Sequence, residues 1–217
     1  MSVIIFQLIF GVCGSKLEEI HMFTGIIEAL GKVKSIEKDG SNIHFQIQSD
    51  ISKELKVDQS VSHDGVCLTV TWVGEGQHRV TAIDETLGRS NLGAWNIGSD
   101  VNLERCMPSN GRFDGHVVQG HVDQMATVVG IKEEDGSWLY DFSFDPKEEI
   151  VVDKGSICVN GISLTCFNAT EDSFRVAIIP YTYEHTNFRH LDVGSQVNLE
   201  FDIIGKYVRR LLEKREL

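Results

Sequence analysis

The feature that most constrains this chain is an internal repeat with an offset of about 96 residues. Residues 98–104, GSDVNLE, recur as residues 194–200, GSQVNLE, and six of the seven positions are identical. The matching blocks, in chain order, are 24–28 with 119–123, 64–69 with 160–165, 90–92 with 186–188, and 98–104 with 194–200. Four blocks in the same order indicate a tandem duplication. We therefore expect one unit at 22–118, a second at 119–204 and a tail at 205–217.

Each unit has the sequence pattern of short antiparallel β-strands. Residues 43–48 alternate apolar and polar side chains, and residues 139–144 do so more loosely, which is typical of strands with one buried face. Residues 66–73 and 162–167 are rich in apolar and β-branched residues, and each run follows an Asp-Gly or Asn-Gly turn signal. Because about six short strands leave exposed edges unless their sheet closes, we predict an all-β fold of two similar barrels.

Composition narrows the range of partners. The chain has 217 residues, of which 41% are hydrophobic, and a formal net charge of -12. It can therefore bury a core, and nucleic-acid binding is disfavoured because phosphate contacts need Lys and Arg. The five cysteines include no C-x-x-C pair, which favours a reducing compartment, most simply the cytoplasm. No residues show metal-ligand or phosphate-loop spacing, so we expect no metal site.

The N-terminal residues 1–21 differ from the repeats. They contain an apolar run, residues 3–13, that is about as long as the hydrophobic segment of a signal peptide. No Lys or Arg precedes the run and no small-residue cleavage site follows it. We interpret residues 1–21 as an extension ahead of the folded unit, with targeting as the alternative. A membrane span needs about 20 apolar residues, so no membrane contact is expected.

The C-terminal tail has a different periodicity from the repeats. Tyr207, Val208, Leu211 and Leu212 form one apolar stripe when residues 205–214 are drawn as a helix. Such a helix either packs on its own barrel or contacts another subunit. We favour the subunit contact, because a short helix beyond a finished barrel has little core of its own to cover.

Two matched positions stand out chemically. Cys67 and Ser163 each precede a Leu-Thr pair, so a thiol in one unit occupies the place of a hydroxyl in the other. A nucleophile is one interpretation, and a cysteine that serves as a small buried hydrophobe is the other. His116 and His121 are five residues apart. On a single strand they would point to opposite faces, which disfavours a two-histidine metal site.

Longer motifs carry a family resemblance. They are MFTGIIE at 22–28, GVCLTV at 65–70, VNLER at 101–105, GHVVQGHVD at 115–123 and NGISLT at 160–165. In content and order they resemble the alpha chain of the riboflavin synthase family, and the resemblance runs from Met22 to the C-terminal helix. It implies two six-stranded Greek-key barrels and a C-terminal helix that assembles a homotrimer.

The resemblance also implies a reaction. Two molecules of 6,7-dimethyl-8-ribityllumazine are consumed, and a four-carbon unit passes from one to the other. The products are riboflavin and 5-amino-6-(D-ribitylamino)uracil, in the final step of riboflavin biosynthesis, without a metal or other cofactor. In the family the site lies between the N-terminal barrel of one subunit and the C-terminal barrel of its neighbour. An association with lumazine synthase is left open.

Site residues follow from the matched motifs. The positions tied to turnover are Phe23, Ser60, Cys67, His121 and Ser163. In the first-barrel pocket we expect Gly25, Ile26, Ile27, Cys67, Leu68, Thr69, Thr81, Ala82, Ile83, Asp84, Glu85 and Thr86. In the second-barrel pocket we expect Gly120, His121, Val122, Lys154, Ser163, Leu164, Thr165, Ile179, Pro180, Tyr181 and Thr182. Departures from the family pattern at Asp64, Asp114 and Tyr181 leave local pocket detail open.

Two other functions stay open at the level of sequence. A lumazine-carrying fluorescent protein shares the duplicated barrels but binds its chromophore without turnover. The second alternative is a duplicated barrel for small-ligand transport or protein interaction. Composition and periodicity by themselves indicate nothing more specific than this. Conversion of the lumazine to riboflavin by purified protein discriminates the enzyme from both.

Overall fold

The computed structural model describes residues 22–146 and 150–214, and residues 1–21, interpreted above as an extension, lie outside that description. The described residues form a pair of closed six-stranded barrels. The strands of the first are β1 (Ala29–Asp39), β2 (Asn42–Gln48), β3 (Ser60–His63), β4 (Val66–Gly74), β5 (Gln77–Ala82) and β6 (Asp100–Arg105). Helix α1 (Asp84–Arg89) and 3-10 turns at Asp50–Glu54 and Asn91–Ala94 connect them.

The second barrel repeats this plan. Its strands are β7 (Gln124–Glu134), β8 (Ser137–Ser143), β9 (Ser156–Val159), β10 (Ile162–Phe167), β11 (Ser173–Ile178) and β12 (Gln196–Phe201). Helix α2 (Pro180–His185) and a 3-10 turn at Asn187–His190 follow β11. The order around the first barrel is β1-β2-β5-β4-β3-β6, and the second is β7-β8-β11-β10-β9-β12. The predicted pair of similar all-β barrels is confirmed.

The hairpins β3–β4 and β9–β10 turn at the Asp-Gly and Asn-Gly signals. Asp64 and Gly65 have φ angles of 47° and 81°, and Asn160 and Gly161 have 47° and 79°. Positive φ at both central positions is the type I′ geometry, which suits the strand twist and favours Asn or Asp before Gly. The two turns touch each other, since a Cβ on Gly65 would lie 2.7 Å from the Gly161 nitrogen. Only glycine allows this approach between the barrels.

Buried amide side chains join the barrels around this contact. The Asn102 Nδ2 donates to the Asn160 carbonyl at 2.9 Å, and the Asn198 Nδ2 donates to the Asp64 carbonyl at 2.8 Å. The Asn102 Oδ1 also accepts the Asn187 N–H at 2.8 Å. Asn102 and Asn198 are equivalent residues of the repeat, so the interface has approximate two-fold symmetry. These three hydrogen bonds each join one barrel to the other, which fixes their relative orientation.

The barrel interiors differ. The first contains a hydrogen-bonded pair, His63 Nε2 to His78 Nε2 at 2.8 Å, and His78 Nδ1 lies 2.8 Å from the Ser52 Oγ. The equivalent residues in the second barrel are Val159 and Phe174, both buried. The aromatic side chains of the second core are Tyr140, Phe142, Phe144, Phe174, Phe188 and Phe201. The same strand order therefore encloses two different cores.

Helix α3 (Ile203–Glu213) ends the described chain and begins two residues earlier than the predicted segment. The Asp202 carboxylate caps it by accepting the Ile204 N–H at 2.9 Å. Its apolar residues Ile204, Tyr207, Val208, Leu211 and Leu212 are all at least half exposed. The helix therefore leaves its apolar face uncovered by the described residues of its own chain. Among the described residues no helix is long and apolar enough to cross a bilayer.

Candidate active site

A short extended segment leads into each barrel and is held by a buried glutamate. We name residues 23–28 the first lead-in and residues 118–123 the second lead-in. Glu104 at the end of β6 accepts the Thr24 N–H at 2.7 Å, the Thr24 hydroxyl at 2.9 Å and the Gly25 N–H at 3.0 Å. Thus the first lead-in is fixed to the strand that closes its own barrel.

The second lead-in is held in the same way. Glu200 accepts the Gln119, Gly120 and His121 N–H groups at 2.7, 2.9 and 3.0 Å. Burial raises the pKa of both Glu104 and Glu200 to about 7, and the donated N–H bonds oppose that rise. Each glutamate therefore accepts three hydrogen bonds from donors of its lead-in.

Beyond these anchors, the lead-ins cross to the opposite barrels. The Ser163 N–H donates to the Gly25 carbonyl and the Cys67 N–H donates to the Gly120 carbonyl, both at 2.8 Å. A Cβ on either glycine would come within 2.6 Å of the residue it covers. Glycine is thus required at both places, because any side chain would collide with the strand beneath.

The packing of the next apolar residues shows the same exchange. Ile27 of the first lead-in packs against the core of the second barrel, and Val122 of the second lead-in packs against the core of the first. The sequence grouping that placed Gly25, Ile26 and Ile27 in the first pocket, and 120–122 in the second, is therefore wrong for this structure. The two sets are exchanged, because each lead-in pairs with the strand of the other barrel.

A cavity beside these contacts lies at Cys67. It has a volume of about 360 Å³ and is lined by Val66, Cys67, Glu85, Thr86, Arg89, Ser90, Gly120, His121, Val122 and Asp123. One wall comes from β4 and α1 of the first barrel, and the other comes from the second lead-in. Of the residues predicted for the first pocket, it contains Cys67, Glu85 and Thr86. His121 closes it from the other repeat.

The Cys67 side chain is a partly buried thiol at the wall of this cavity. Burial raises its pKa above the ordinary value, the Ser60 hydrogen bond opposes the rise, and the nearby Glu200 charge adds to it. The side chain is therefore protonated at neutral pH. Ser60 lies on β3 and pairs with Thr69 of β4, next to the pair formed by Val61 and Leu68. The structure thus brings Ser60 and Cys67 together.

Ser163 has a partner that the sequence analysis missed. Its Oγ lies 2.7 Å from the Nδ1 of the His116 imidazole. The backbone N–H of His116 donates to the Thr24 carbonyl at 3.1 Å. Burial lowers the pKa of His116, while the Asp202 charge opposes this change. A neutral imidazole beside a hydroxyl is the arrangement of a general base next to a nucleophile. Only the Gly-His spacing of the 115–121 motif pointed to this histidine in the sequence.

His116 and His121 do not lie on a strand, so the alternation of strand faces does not apply to them. Within residues 106–123 only Val118 forms a β-bridge, with Phe23 as its partner, and the remainder is irregular. The two histidines instead face different barrels, His116 at Ser163 and His121 at the Cys67 cavity. Within 22–146 and 150–214, no three His, Cys, Asp or Glu side chains are grouped to hold a metal ion.

Phe23 lies away from the cavity wall. It is fully buried and bridges Val118, with the Phe23 N–H donating to the Val118 carbonyl at 2.8 Å. Cys158, Cys67 and Cys106 pack around this pair. Phe23 therefore joins the two lead-ins.

The remaining predicted residues are spread around the two sites. Leu68 and Ala82 point into the first barrel core and Leu164 packs against the second core, so these positions offer backbone rather than side chains to a pocket. The residues Ile26, Thr69, Ile83, Asp84, Thr165, Ile179, Pro180 and Tyr181 are exposed, and Thr81 and Thr182 are half-buried. Tyr181 stacks on His185 with ring centroids 4.1 Å apart. Lys154 is exposed and lies over the Phe167 ring at 5.3 Å.

Comparison with known proteins agrees with this architecture. The family described as "Lumazine binding domain" matches residues 24–106 and 119–202. In solved structures, LumP complexed with riboflavin has a TM-score of 0.76 and 25% identity, covering 83% of this chain and 99% of that chain. LumP complexed with 6,7-dimethyl-8-(1'-D-ribityl) lumazine has a TM-score of 0.76 and 23% identity, covering 82% and 98%. The fold and the paired sites thus define a two-barrel protein of the lumazine-binding class.

Sequence relatives narrow this class. Riboflavin synthase of Bacillus subtilis is 43% identical over 195 residues, which span 89% of this chain and 91% of that protein. Riboflavin synthase of Actinobacillus pleuropneumoniae is 41% identical over 196 residues, spanning 89% and 91%. That of Saccharomyces cerevisiae is 34% identical over 203 residues, spanning 87% and 85%. The chain belongs to the riboflavin synthase family, as its motifs indicated.

Proposed function

We propose that this chain catalyses the riboflavin synthase reaction on two molecules of 6,7-dimethyl-8-ribityllumazine. One molecule gives up a four-carbon unit, made of C6, C7 and their two methyl groups, and leaves as 5-amino-6-(D-ribitylamino)uracil, and the other gains this unit and becomes riboflavin. The observation that carries this proposal is the pair of matched positions, Cys67 and Ser163, each covered by a glycine of the opposite lead-in. A reaction between two identical molecules requires two similar binding places, and the duplicated fold supplies them.

The proposed chemistry needs positioning, proton transfer and a nucleophile. Binding both molecules together makes the step effectively unimolecular, which is worth about 7–11 kcal/mol in well-oriented cases. At the second site we assign the proton transfer to His116 and the nucleophilic role to Ser163, whose hydroxyl is 2.7 Å away. At the first site Cys67 is a neutral thiol, and His121 and Glu85 line the same cavity. We assign Phe23 and Ser60 a supporting role, in which they hold these groups in place.

A direct assay tests the function. Purified protein is incubated with 6,7-dimethyl-8-ribityllumazine, and both products are separated and quantified. We expect one riboflavin and one uracil product for every two lumazines consumed. Bound lumazine that is recovered unchanged contradicts the proposal and supports the carrier function, which the LumP complexes make the specific rival.

We further propose that α3 assembles the chain into a homotrimer and that productive pairing of pockets occurs between neighbouring subunits. The support is the row of exposed apolar side chains on α3. Replacing Tyr207 and Leu211 by Glu should shift the mass in light scattering from trimer to monomer, with loss of riboflavin formation. The control is Arg210→Glu, which changes an exposed polar position of the same helix. A monomer with full activity contradicts the intersubunit site.

Two further assignments complete the proposal. A cytoplasmic location fits the free thiols of Cys67, Cys158 and Cys166. An association of the trimer with lumazine synthase is tested by co-sedimentation of the two purified proteins. The boundary between the units at 118 and 119 stays a prediction from the repeat.

A further inference from the structure

The two lead-ins carry a carboxylate at the same repeat position but neutralise it differently. In the first lead-in Glu28 pairs with the Arg105 Nε at 2.6 Å, and Arg105 belongs to β6 in the same barrel. In the second lead-in the equivalent residue is Asp123. Position 201, which corresponds to Arg105, is Phe201, so the second barrel strand has no cation to offer at that position.

The missing cation is supplied by the C-terminal helix. The Lys206 Nζ lies 2.6 Å from the Asp123 Oδ1 and 2.5 Å from its Oδ2. Both side chains are about one-fifth exposed, so water screens this ion pair less than a surface pair. The Asp123 Oδ2 also accepts the Phe201 N–H at 2.9 Å, which ties the lead-in to the end of β12.

This pairing reaches the cavity. Asp123 lines the Cys67 cavity together with Gly120 and His121. Those two residues donate their N–H groups to Glu200, and the positive charge of Lys206 also acts on the Glu200 carboxylate. One ammonium group therefore stabilises the two carboxylates that hold the second lead-in in place.

We propose that Lys206 is a positioning residue which, through Asp123, makes the closed form of the Cys67 cavity depend on the docking of α3. Residues of the second lead-in form one wall of that cavity, so replacing Lys206 frees the wall without removing any group that lines it. The inference builds on the proposed function by taking this cavity as a lumazine pocket. The helix then connects two properties of the chain, because the described residues leave its apolar face open to a subunit contact while its lysine reaches back to the pocket.

The test uses the full-length chain with Lys206→Met, which keeps the apolar stem and removes the charge, and with Lys206→Arg, which restores a cation. Asp123→Asn removes the other partner and keeps its shape. The control is Arg210→Met, on the same helix, whose side chain is 70% exposed and pairs with Glu213. Hydrogen exchange of the ligand-free protein reports the amides of 119–121, with the amides of Thr24 and Gly25 as an internal reference.

We expect Lys206→Met and Asp123→Asn each to speed exchange at 119–121 at least fivefold, while Thr24, Gly25 and the trimer mass stay unchanged. In fluorescence titration with 6,7-dimethyl-8-ribityllumazine, one of the two sites per chain should weaken at least fivefold. KM should rise more than kcat falls. Lys206→Arg should restore both values, and combining Lys206→Met with Asp123→Asn should add little to either variant alone.

Several results would overturn the inference. Unchanged exchange at 119–121 removes the role of the ion pair. Faster exchange at both lead-ins shows a general loss of stability, and a fall in mass shows that Lys206 acts through assembly. The exchange readout involves no turnover. If the wild-type chain fails to convert the lumazine, the proposed function fails while the positioning role is still decided by exchange.

Discussion

The two barrels have the same strand order and different interiors. In the first, His63 and His78 form a buried hydrogen-bonded pair, and in the second Val159 and Phe174 occupy the same places. Two different sets of core side chains are compatible with the same strand arrangement, provided that each polar group finds a partner and the core volume is filled. Duplication preserved the turn residues and the lead-in glycines, where the backbone geometry is demanding. It left the core side chains free to diverge.

The two sites differ in a parallel way. At Ser163 the hydroxyl has a neutral histidine beside it, whereas Cys67 faces a cavity closed by His121. The lead-in carboxylate is neutralised by Arg105 in one unit and by Lys206 of the C-terminal helix in the other. The Cys67 cavity is therefore lined by two regions of the chain, and a third region, the C-terminal helix, contacts its wall through Asp123. This asymmetry gives the two matched positions, Cys67 and Ser163, different surroundings.

The largest expected effect concerns the interface between the barrels. Asn102→Ala removes the acceptor of the buried Asn187 N–H and a donor to the Asn160 carbonyl. Leaving these groups unpaired should lower the free energy of unfolding by about 3 kcal/mol, measured by urea denaturation. Asn198→Ala should cost less, because its partner Asn91 is partly exposed and water can replace the lost contact. Equal losses in both variants would contradict this difference.

The second prediction replaces the histidine pair by the residues of the other barrel, as His63→Val with His78→Phe. Burial lowers the pKa of His78 to about 4 and that of His63 well below its usual value, so both are neutral in the folded state. Unfolded histidines gain protons below about pH 6.5, so this contribution to stability is lost as pH falls from there toward about 4.

For each histidine the loss is up to about 1.4 kcal/mol per pH unit. We therefore expect the stability of the wild-type chain to fall by about 2 kcal/mol more than that of the double variant between about pH 6.5 and 5.5. Urea unfolding at a series of pH values measures both slopes. Parallel slopes would show that the pair is not the source of acid sensitivity.

The third prediction compares the matched nucleophile positions. Ser163→Ala removes the hydroxyl beside His116 and should reduce kcat at least tenfold, about 1.4 kcal/mol of barrier, with the fold intact. Cys67→Ser retains a polar group at the cavity wall and should reduce kcat by less. Steady-state riboflavin formation and thermal unfolding are measured for both variants. Wild-type kinetics in both variants would show that Cys67 and Ser163 serve in packing and not in the reaction.

The smallest expected effect is at the first-barrel cation. Arg105→Met breaks ion pairs with Glu28 and Glu54, but the Arg105 side chain is 39% exposed and Glu104 still holds the lead-in. The loss of unfolding free energy should be under about 1 kcal/mol. A loss above about 2 kcal/mol would contradict a minor, water-screened role for Arg105 in holding the first lead-in.

Much of the fold was predictable from local sequence. The repeat indicated two equivalent units, and the Asp64-Gly65 and Asn160-Gly161 pairs identified turns whose positive φ angles the structure shows. Alternation located β2, and apolar runs located β4 and β10 with nearly the observed ends. These features depend on backbone geometry over a few residues, which is why the sequence alone is sufficient to read them. The matched positions Cys67 and Ser163 also followed from the repeat.

Contacts between distant segments were decided only by the tertiary structure. The crossing of the lead-ins depends on which strand each glycine meets, and two equal repeats offer two equal choices in sequence. The pairing of His116 with Ser163, of His63 with His78 and of Lys206 with Asp123 joins residues 47, 15 and 83 positions apart. Local periodicity carries no signal across such separations. Burial and hydrogen bonding select these partners only after both barrels are closed and set against each other.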